Sequence, residues 1–247
     1  MTLAPAAAVF ATAAAMAAIS LKCMDTLTLT PIAYYRGPFG SKFGLPRQSA
    51  LAPDIEGRIV FEEPYRVREA LRGLEGFQRI WLIWGFHANR PAKGEWQPTV
   101  RPPRLGGNTA MGVWATRSPF RPNPLGLSAV ELVRVDGLEL IVKGADLMDG
   151  TPVYDIKPYV AYADAYPESA SGFAAAPPQA SLQVLIPQDL PFSETQREAL
   201  AQALSLDPRP AYQRDSGRTY AMPFDGADVF FTVTEDGVLT VTGYSKL

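Results

Sequence analysis

The sequence has 247 residues, of which 47% are hydrophobic and 19% charged, and this composition is typical of a globular chain with room for one medium and one smaller domain. A single cysteine excludes an internal disulfide, and a single cysteine and a single histidine together exclude a zinc site built from several such side chains. The net charge is −2, but residues 36–121 carry 14 Lys/Arg against 7 Asp/Glu. This basic segment is compatible with a phosphate-facing surface or with arginines scattered over a solvated one.

Residues 1–24 form an extension with an unusual composition. Ala6 to Ile19 is a run of small and apolar residues, but no Lys or Arg precedes it and no clean cleavage site follows it, so it does not match a secretory signal. The run is also too short and too weakly apolar to span a membrane. We predict that translation begins at Met24, that a chain starting there folds and keeps its binding properties, and that the protein is cytoplasmic.

Short apolar or alternating runs predict a mainly β core. In chain order the predicted strands are Leu27–Tyr35, Gly57–Phe61, Arg79–Phe86, Met111–Arg117, Ser128–Val135 and Leu138–Lys143, with a short helix at Glu63–Leu71. Asp-Gly pairs mark turns, and those at Asp136-Gly137 and Asp236-Gly237 lie between alternating runs, which predicts hairpins with type I′ turns. Strands at this spacing favour a barrel or a sandwich.

The composition changes after this core. Ser169 to Ser181 is rich in Ala, Ser and Pro and is predicted to be a linker between a domain at residues 25–168 and a small α+β domain at residues 182–247. Ser193 and Gln196 form a capping-box pattern that starts a helix ending near Leu206. A hairpin from Val229 to Tyr244 closes the chain.

Several kinds of chemistry are excluded by their missing motifs. The sequence has no G-x-G-x-x-G between a strand and a helix, no P-loop and no G-x-S-x-G elbow. It does have a dense stretch from Thr99 to Ser128 with five prolines, four glycines and four arginines. Proline and glycine fix non-regular backbone, and arginine offers a five-donor fork for anions, so the stretch indicates either a preshaped binding loop or a rigid packed connection.

Six motifs carry a family resemblance. They are Phe43 to Gln48, Leu71 to Phe77, Phe86-His87, Arg101 to Met111, Ala115 to Ser128 and Asp149 to Tyr159. Together they resemble the TsaA-like (TrmO) tRNA methyltransferases, and Asp207 to Tyr212 is similar to the tail domain of the bacterial members. The strings R-S-x-F-R-P-N-P and D-G-T-P-x-x-D-I-K-P-Y are highly specific.

The resemblance implies a β-barrel that binds S-adenosylmethionine without a Rossmann domain, a homodimer, and methyl transfer to N6 of threonylcarbamoyladenosine beside the anticodon of a threonine tRNA. No metal is expected, because the sequence has one cysteine, one histidine and no carboxylate spacing typical of a metal site. By motif position it implies cofactor contacts at Pro46, Arg47, Gln48, His87, Arg117, Leu127, Asp146, Leu147, Asp149, Gly150 and Thr151. Ala88 departs from the family, in which a polar residue is common after the histidine.

Roles for individual side chains follow from their chemistry. Arg117 could hold the methionine carboxylate, and Asp149 could complement the sulfonium or the ribose. His87 is a candidate for the proton transfer or a packed residue at a strand end. The acceptor carboxylate and the RNA need cationic or aromatic partners, for which the candidates are Arg101, Arg104, Arg121, Lys157, Tyr159, Arg209 and Tyr212, each with a packing role as the alternative.

Two other functions remain compatible with the sequence. The first is a methyltransferase of the same fold with another nucleoside or a small molecule as acceptor. The second is a non-catalytic RNA-binding module, against which the intact set of Gln48, His87, Arg117 and Asp149 argues.

Overall fold

A computed structural model describes residues 27–89, 96–176, 178, 181–209 and 215–246, with the side chain of Arg104 excepted. It has two compact units, residues 1–30 and residues 31–247. Of the first unit, residues 27–30 are described, and they have no regular secondary structure. The predicted start at Met24 lies outside the described residues.

The described part of the second unit contains twelve strands and two α-helices. The strands are β1 Ala33–Arg36, β2 Glu56–Phe61, β3 Arg79–Gly85, β4 Thr99–Val100, β5 Met111–Gly112, β6 Leu125–Asp136, β7 Glu139–Lys143, β8 Pro152–Pro158, β9 Gln183–Leu185, β10 Tyr220–Phe224, β11 Ala227–Val233 and β12 Val238–Lys246. The helices are α1 Ala161–Asp164 and α2 Glu194–Ser205.

Six strands form a closed barrel in the order β1-β2-β7-β6-β3-β8. Every neighbouring pair is antiparallel, including β1 with β8, which closes the barrel. Successive side chains of a strand point to opposite faces, and β3 follows this rule with Ile80, Leu82 and Trp84 buried inside. The barrel core is therefore built from alternate residues of its strands.

The C-terminal part is a four-stranded sheet covered by α2. The sheet order is β10-β11-β12-β9, and β9 is parallel to β12. Helix α2 begins at a complete capping box, in which the Ser193 hydroxyl accepts from the Gln196 amide and the Gln196 side chain accepts from the Ser193 amide. Its buried face contributes Leu200 and Leu204 to the core.

The connection between β1 and β2 belongs to this second core. Phe39, Ala52 and Ile55 are fully or almost fully buried in the cluster formed by α2 and the C-terminal sheet. The Phe39 ring meets the Phe224 ring edge-on, with 5.6 Å between their centroids. The barrel is thus anchored to the C-terminal sheet by a segment that starts at one of its own strands.

The predicted mainly β fold, with a barrel and a small C-terminal α+β part, is confirmed. The predicted helix at Glu63–Leu71 is wrong, because this segment forms two 3₁₀ turns, Glu63–Tyr65 and Arg68–Leu71, separated by an extended Val67. The predicted strand at Met111–Arg117 holds only for its first two residues, since a 3₁₀ turn at Val113–Ala115 ends it. The first strand begins at Ala33, not at Leu27.

The hairpins form, but their turns differ from the prediction. Asp136 pairs with Glu139 across the ladder, so the turn residues are Gly137 and Leu138, of which only the glycine has a positive φ. The Asp236-Gly237 turn likewise has its left-handed residue at the glycine alone. Positive φ at both central residues, as type I′ requires, occurs instead at Asp225-Gly226 between β10 and β11, with φ values of 50° and 75°.

Tyr35 fixes a tight contact inside the barrel. Its ring is fully buried, and a Cβ added at either Gly37 or Gly57 would overlap its hydroxyl end. Because the ring is enclosed, it cannot move aside to make room.

Gly57→Ala is expected to lower the free energy of unfolding by about 1–3 kcal/mol, the usual cost of overpacking a buried site. Gly243→Ala is the matched control, since Gly243 also lies in a strand and a Cβ added there would have no neighbour within 4 Å. Chemical denaturation of both variants measures the effect. Equal stability of the two variants would contradict the assigned contact.

Candidate functional site

Three connections between barrel strands meet at a polar cluster formed by Gln48, Arg117 and Asp146. Gln48 lies between β1 and β2, Arg117 precedes β6, and Asp146 follows β7. The Arg117 Nη1 donates to the Gln48 Oε1 at 2.5 Å, and the Arg117 charge opposes the rise that burial causes in the pKa of Asp146. Arg117 and Gln48, which are 69 positions apart in sequence, are therefore brought into direct contact here.

Asp146 is held by a short hydrogen-bonded chain. The Ser128 hydroxyl donates to the Asp146 Oδ1 at 2.5 Å and accepts from the Trp84 Nε1 at 3.0 Å. Burial raises the pKa of the Asp146 carboxyl, while the Ser128 hydroxyl, backbone amide groups that include Ser49, and Arg117 oppose this effect. Asp146 is therefore a largely desolvated acid whose negative charge has a cationic neighbour.

The charges of Asp146 and of a second carboxylate, Asp149, both act on Tyr35. Burial raises the pKa of the Tyr35 hydroxyl, and the charges of Asp146 and Asp149 add to the effect, so the phenol stays neutral. The hydroxyl oxygen is buried and has no hydrogen-bond partner among the described residues. Both acids therefore act on Tyr35 through their charge and not through a hydrogen bond to its hydroxyl.

Asp149 is engaged on its own side of Tyr35. Its Oδ1 accepts from the Gly37 amide at 3.2 Å, and its Oδ2 lies 3.5 Å from the Arg36 Nη1. The adjoining Gly150 has φ of 74° and donates its amide to the Tyr35 carbonyl. The turn at Asp149 and Gly150 therefore helps to close the barrel through its backbone and also places a carboxylate there.

His87 and Leu127 lie at the ends of neighbouring strands. His87 directly follows the Trp84–Phe86 ring contact at the end of β3, and its side chain is exposed. Leu127 is 54% exposed on β6, opposite Ile83. An exposed apolar side chain offers a surface for a flat ligand group.

Two family models match most of the chain. The family model of the tRNA-methyltransferase O N-terminal domain matches residues 34–165, and that of the TrmO C-terminal domain matches residues 179–245. The chain belongs to the tRNA-methyltransferase O family. The resemblance drawn from its motifs is thereby confirmed.

Curated relatives and solved structures agree with this membership. The chain is 39% identical to the tRNA (adenine(37)-N6)-methyltransferase of Escherichia coli over 228 residues, which cover 87% of the chain and 96% of that relative. It is 42% identical to a putative S-adenosylmethionine-dependent methyltransferase, RcsF, of Pseudomonas aeruginosa, covering 83% of the chain and 91% of the relative. The crystal structure of TrmO from Pseudomonas aeruginosa superposes with a TM-score of 0.73 at 33% identity, covering 89% of the chain and 98% of that structure.

Several residues that the family resemblance assigns to the cofactor are turned into the protein. The side chains of Leu147 and Thr151 are buried, and the Thr151 hydroxyl donates to the Met148 carbonyl at 2.7 Å. Pro46 is also buried, whereas Arg47 is exposed. Leu147 and Thr151 therefore expose neither side chain nor backbone to a ligand in this structure.

The predicted substrate residues are dispersed. Lys157 is exposed and pairs with Asp155 at 2.8 Å, and Tyr159 packs against Trp81 with 5.6 Å between ring centroids. Arg209 is bound internally, since its Nε and Nη2 donate to the two Asp207 oxygens and its side chain is only 8% exposed.

Other predicted substrate residues lie in or near the Pro-rich stretch. Arg101 is exposed beyond β4, and Arg121 donates to the carbonyls of Thr116 and Ser118. The side chain of Arg104 and the whole of Tyr212 lie outside the described residues.

Sequence reasoning missed Tyr35, Trp84 and Ser128. A signal existed for Ser128, because it occupies an inward position of a predicted strand in register with the buried Val130 and Leu132. A serine at such a position requires a polar partner inside.

Within the described ranges, no group of three or more His, Cys, Asp or Glu side chains could hold a metal ion. No helix of those ranges is long and apolar enough to cross a bilayer.

Asp146→Asn is expected to change how stability depends on pH. The folded-state pKa of Asp146 is raised above its ordinary value of 3.8, so the folded chain holds this proton more tightly than the unfolded chain does. Stability gained from the protonated form is present at low pH and is lost as pH rises through the folded-state pKa. As the pH rises through the folded-state pKa of Asp146, the wild type should therefore lose stability relative to the Asn variant.

Urea unfolding of both proteins between about pH 4 and about pH 8 measures this difference. Equal urea slopes in the two proteins serve as the control that the same structure unfolds. A wild type that gains stability relative to the variant over this range would show that burial does not dominate at Asp146.

Proposed function

We propose that the chain uses S-adenosylmethionine to methylate N6 of adenosine 37 in a threonine tRNA that already carries the threonylcarbamoyl group. The observation that carries the proposal is the 39% identity to the Escherichia coli tRNA (adenine(37)-N6)-methyltransferase over 96% of that relative. The Gln48–Arg117–Asp146 cluster supports it, because it supplies opposite charges at a place where three connections meet.

The charges of the cluster fit the chemistry of the cofactor. S-adenosylmethionine carries a carboxylate together with ammonium and sulfonium cations, so a site for it needs both a cationic and an anionic group. Arg117 would bind the carboxylate, with Gln48 orienting its guanidinium through the 2.5 Å hydrogen bond. Asp146 would face the cationic part, and its ionised form is favoured when a positive charge is near.

Other residues would complete the cofactor site. Leu127 offers exposed apolar surface, His87 and Arg47 are exposed, and the half-buried Asp149 and Gly150 would offer polar groups. Pro46 would fix the backbone before Arg47 and Gln48. When bound, S-adenosylmethionine supplies a methyl group activated by the sulfonium, and the protein's main task is to hold the acceptor nitrogen in line with it.

The acceptor side requires a base and a cation. N6 of the carbamoylated adenosine must lose a proton, and His87, exposed at the end of β3, is the candidate to accept it. The threonyl carboxylate needs a cationic partner, for which Arg121 and Lys157 are the candidates. Lys157 has an exposed ammonium group despite its pairing with Asp155.

The cellular setting follows from this substrate. A tRNA-modifying enzyme of this kind acts in the cytoplasm, and we propose that it works as a homodimer. Sedimentation at several concentrations measures the assembly state.

Arg117→Ala is expected to weaken S-adenosylmethionine binding by about 1.5–3 kcal/mol, which is the usual range for a hydrogen bond to a charged group. Arg134→Ala is the matched control, because Arg134 is a half-exposed arginine of β6 that pairs with Asp136. Isothermal titration of both variants gives the affinities. Unchanged affinity in a folded Arg117→Ala protein would remove Arg117 from the cofactor site.

Methyl transfer is expected to require the threonylcarbamoyl group. The amine of unmodified adenosine is a poor nucleophile because its lone pair is delocalised into the ring, whereas the carbamoylated nitrogen is more acidic. A site with cations for the threonyl carboxylate leaves them unpaired when that group is missing, so discrimination should be steep. The measurement is incorporation of labelled methyl into tRNA from strains with and without the threonylcarbamoyl modification. Equal incorporation into both would show that the acceptor is a different nucleoside feature.

A further inference from the structure

An exposed pair of tryptophans lies beside the proposed site. Trp96 and Trp114 stack with 5.6 Å between ring centroids and 22° between ring planes. They are 44% and 65% exposed, respectively, so much of both indole surfaces contacts solvent. Because burial of an aromatic ring is favourable, two neighbouring tryptophans that are this exposed indicate an interaction site.

The backbone around this pair is built to hold it. Strands β4 and β5 pair, the Val113 amide donates to the Pro98 carbonyl at 2.9 Å, and the Gln97 amide donates to the Phe120 carbonyl at 3.3 Å. These bonds bring Trp96 and Trp114 together from separate parts of the connection between β3 and β6. The stacked pair is thus a fixed feature of this connection.

Arg121 adds a positive charge to the pair. Its guanidinium carbon lies 5.4 Å from the centre of the Trp114 ring, within the range of a cation–π contact. The same guanidinium donates to the carbonyls of Thr116 and Ser118, which flank Arg117 in sequence. One side chain therefore ties the tryptophan pair to the Gln48–Arg117–Asp146 cluster.

The local charge indicates what this surface would bind. From Trp96 to Val130 the sequence has four arginines and no aspartate or glutamate. A flat aromatic surface in a segment of purely positive charge matches single-stranded nucleic acid, whose bases stack on aromatic or guanidinium planes while its phosphates attract cations. A protein partner would not require this one-sided charge.

We propose that Trp96, Trp114 and Arg121 form a stacking platform for an unpaired nucleobase next to the methylated adenosine. The proposal rests on the proposed function for the identity of the RNA. Trp114 is three residues from Arg117, which places the platform within about 11 Å of that residue along the chain. A loop nucleotide can therefore stack there while its neighbour lies at the cofactor.

The test is the binding of a labelled RNA hairpin with the anticodon-arm sequence of a threonine tRNA. Trp114→Ala is expected to weaken binding roughly 5- to 150-fold, the range for loss of one base–aromatic stack, and Trp114→Phe is expected to retain most of the affinity. Tyr166→Ala, which removes another aromatic side chain that is 70% exposed, is the matched control and should bind as wild type. S-adenosylmethionine affinity should be the same in all four proteins.

A fully paired RNA of equal length separates stacking from charge. It offers no free bases, so Trp114→Ala should leave its binding unchanged. In methylation assays the same variant should raise KM for tRNA more than it lowers kcat, since the platform does not touch the reacting atoms.

Three results would overturn the proposal. One is unchanged hairpin affinity in Trp114→Ala, and another is equal loss of affinity for hairpin and paired RNA. The third is conversion of the variant to a lower oligomer in sedimentation, which would identify the surface as a contact between copies of the chain. The two proposals can fail separately. If the protein does not methylate tRNA but its hairpin binding depends on Trp114, the proposed function is refuted and the stacking platform is supported.

Discussion

Closure of the barrel between β1 and β8 is the contact on which the candidate site depends. The two strands share only two register pairs, Ala33 with Val153 and Tyr34 with Pro152. The pairing continues through the backbone of Tyr35. Its amide donates to the Thr151 carbonyl, and its carbonyl accepts from the Gly150 amide. The turn that closes the barrel is therefore the same turn that carries Asp149 and follows Asp146. A chain with an open barrel would have no fixed place for either acid.

Electrostatic organisation follows from this closure. Two acids act on the buried Tyr35, and each has its own arginine nearby, Arg36 for Asp149 and Arg117 for Asp146. Arg117 belongs to the Pro- and Gly-rich connection before β6. A loop whose backbone is constrained by proline and glycine therefore places a positive charge near the buried Asp146. Chemistry at this place can be varied by changing loops while the barrel stays the same.

The sequence was sufficient for the architecture because alternation in strands such as β3 and the capping box of α2 are local signals. It failed where local and tertiary preferences differ. β8 was missed because Pro152-Val-Tyr-Asp-Ile-Lys-Pro158 has no clean alternation, and its extended shape comes from pairing with β1 and β3. The family motifs predicted Gln48, Arg117 and Asp146, but Tyr35 and Ser128 needed coordinates, since their roles depend on residues far away in sequence.

The packing of the β1–β2 connection has a consequence for the order of events during synthesis. Phe39 and Ile55 leave the ribosome long before Val229 and Val241, yet all four belong to one buried cluster. The N-terminal half therefore emerges with apolar side chains whose partners do not yet exist, and completion of the barrel's surroundings waits for the final hairpin. Contacts of such long sequence separation slow folding and prolong exposure of apolar surface. The barrel core draws only on residues from Ile32 to Ile156 and can form first, whereas the β1–β2 connection keeps its apolar side chains exposed until the last strands are translated.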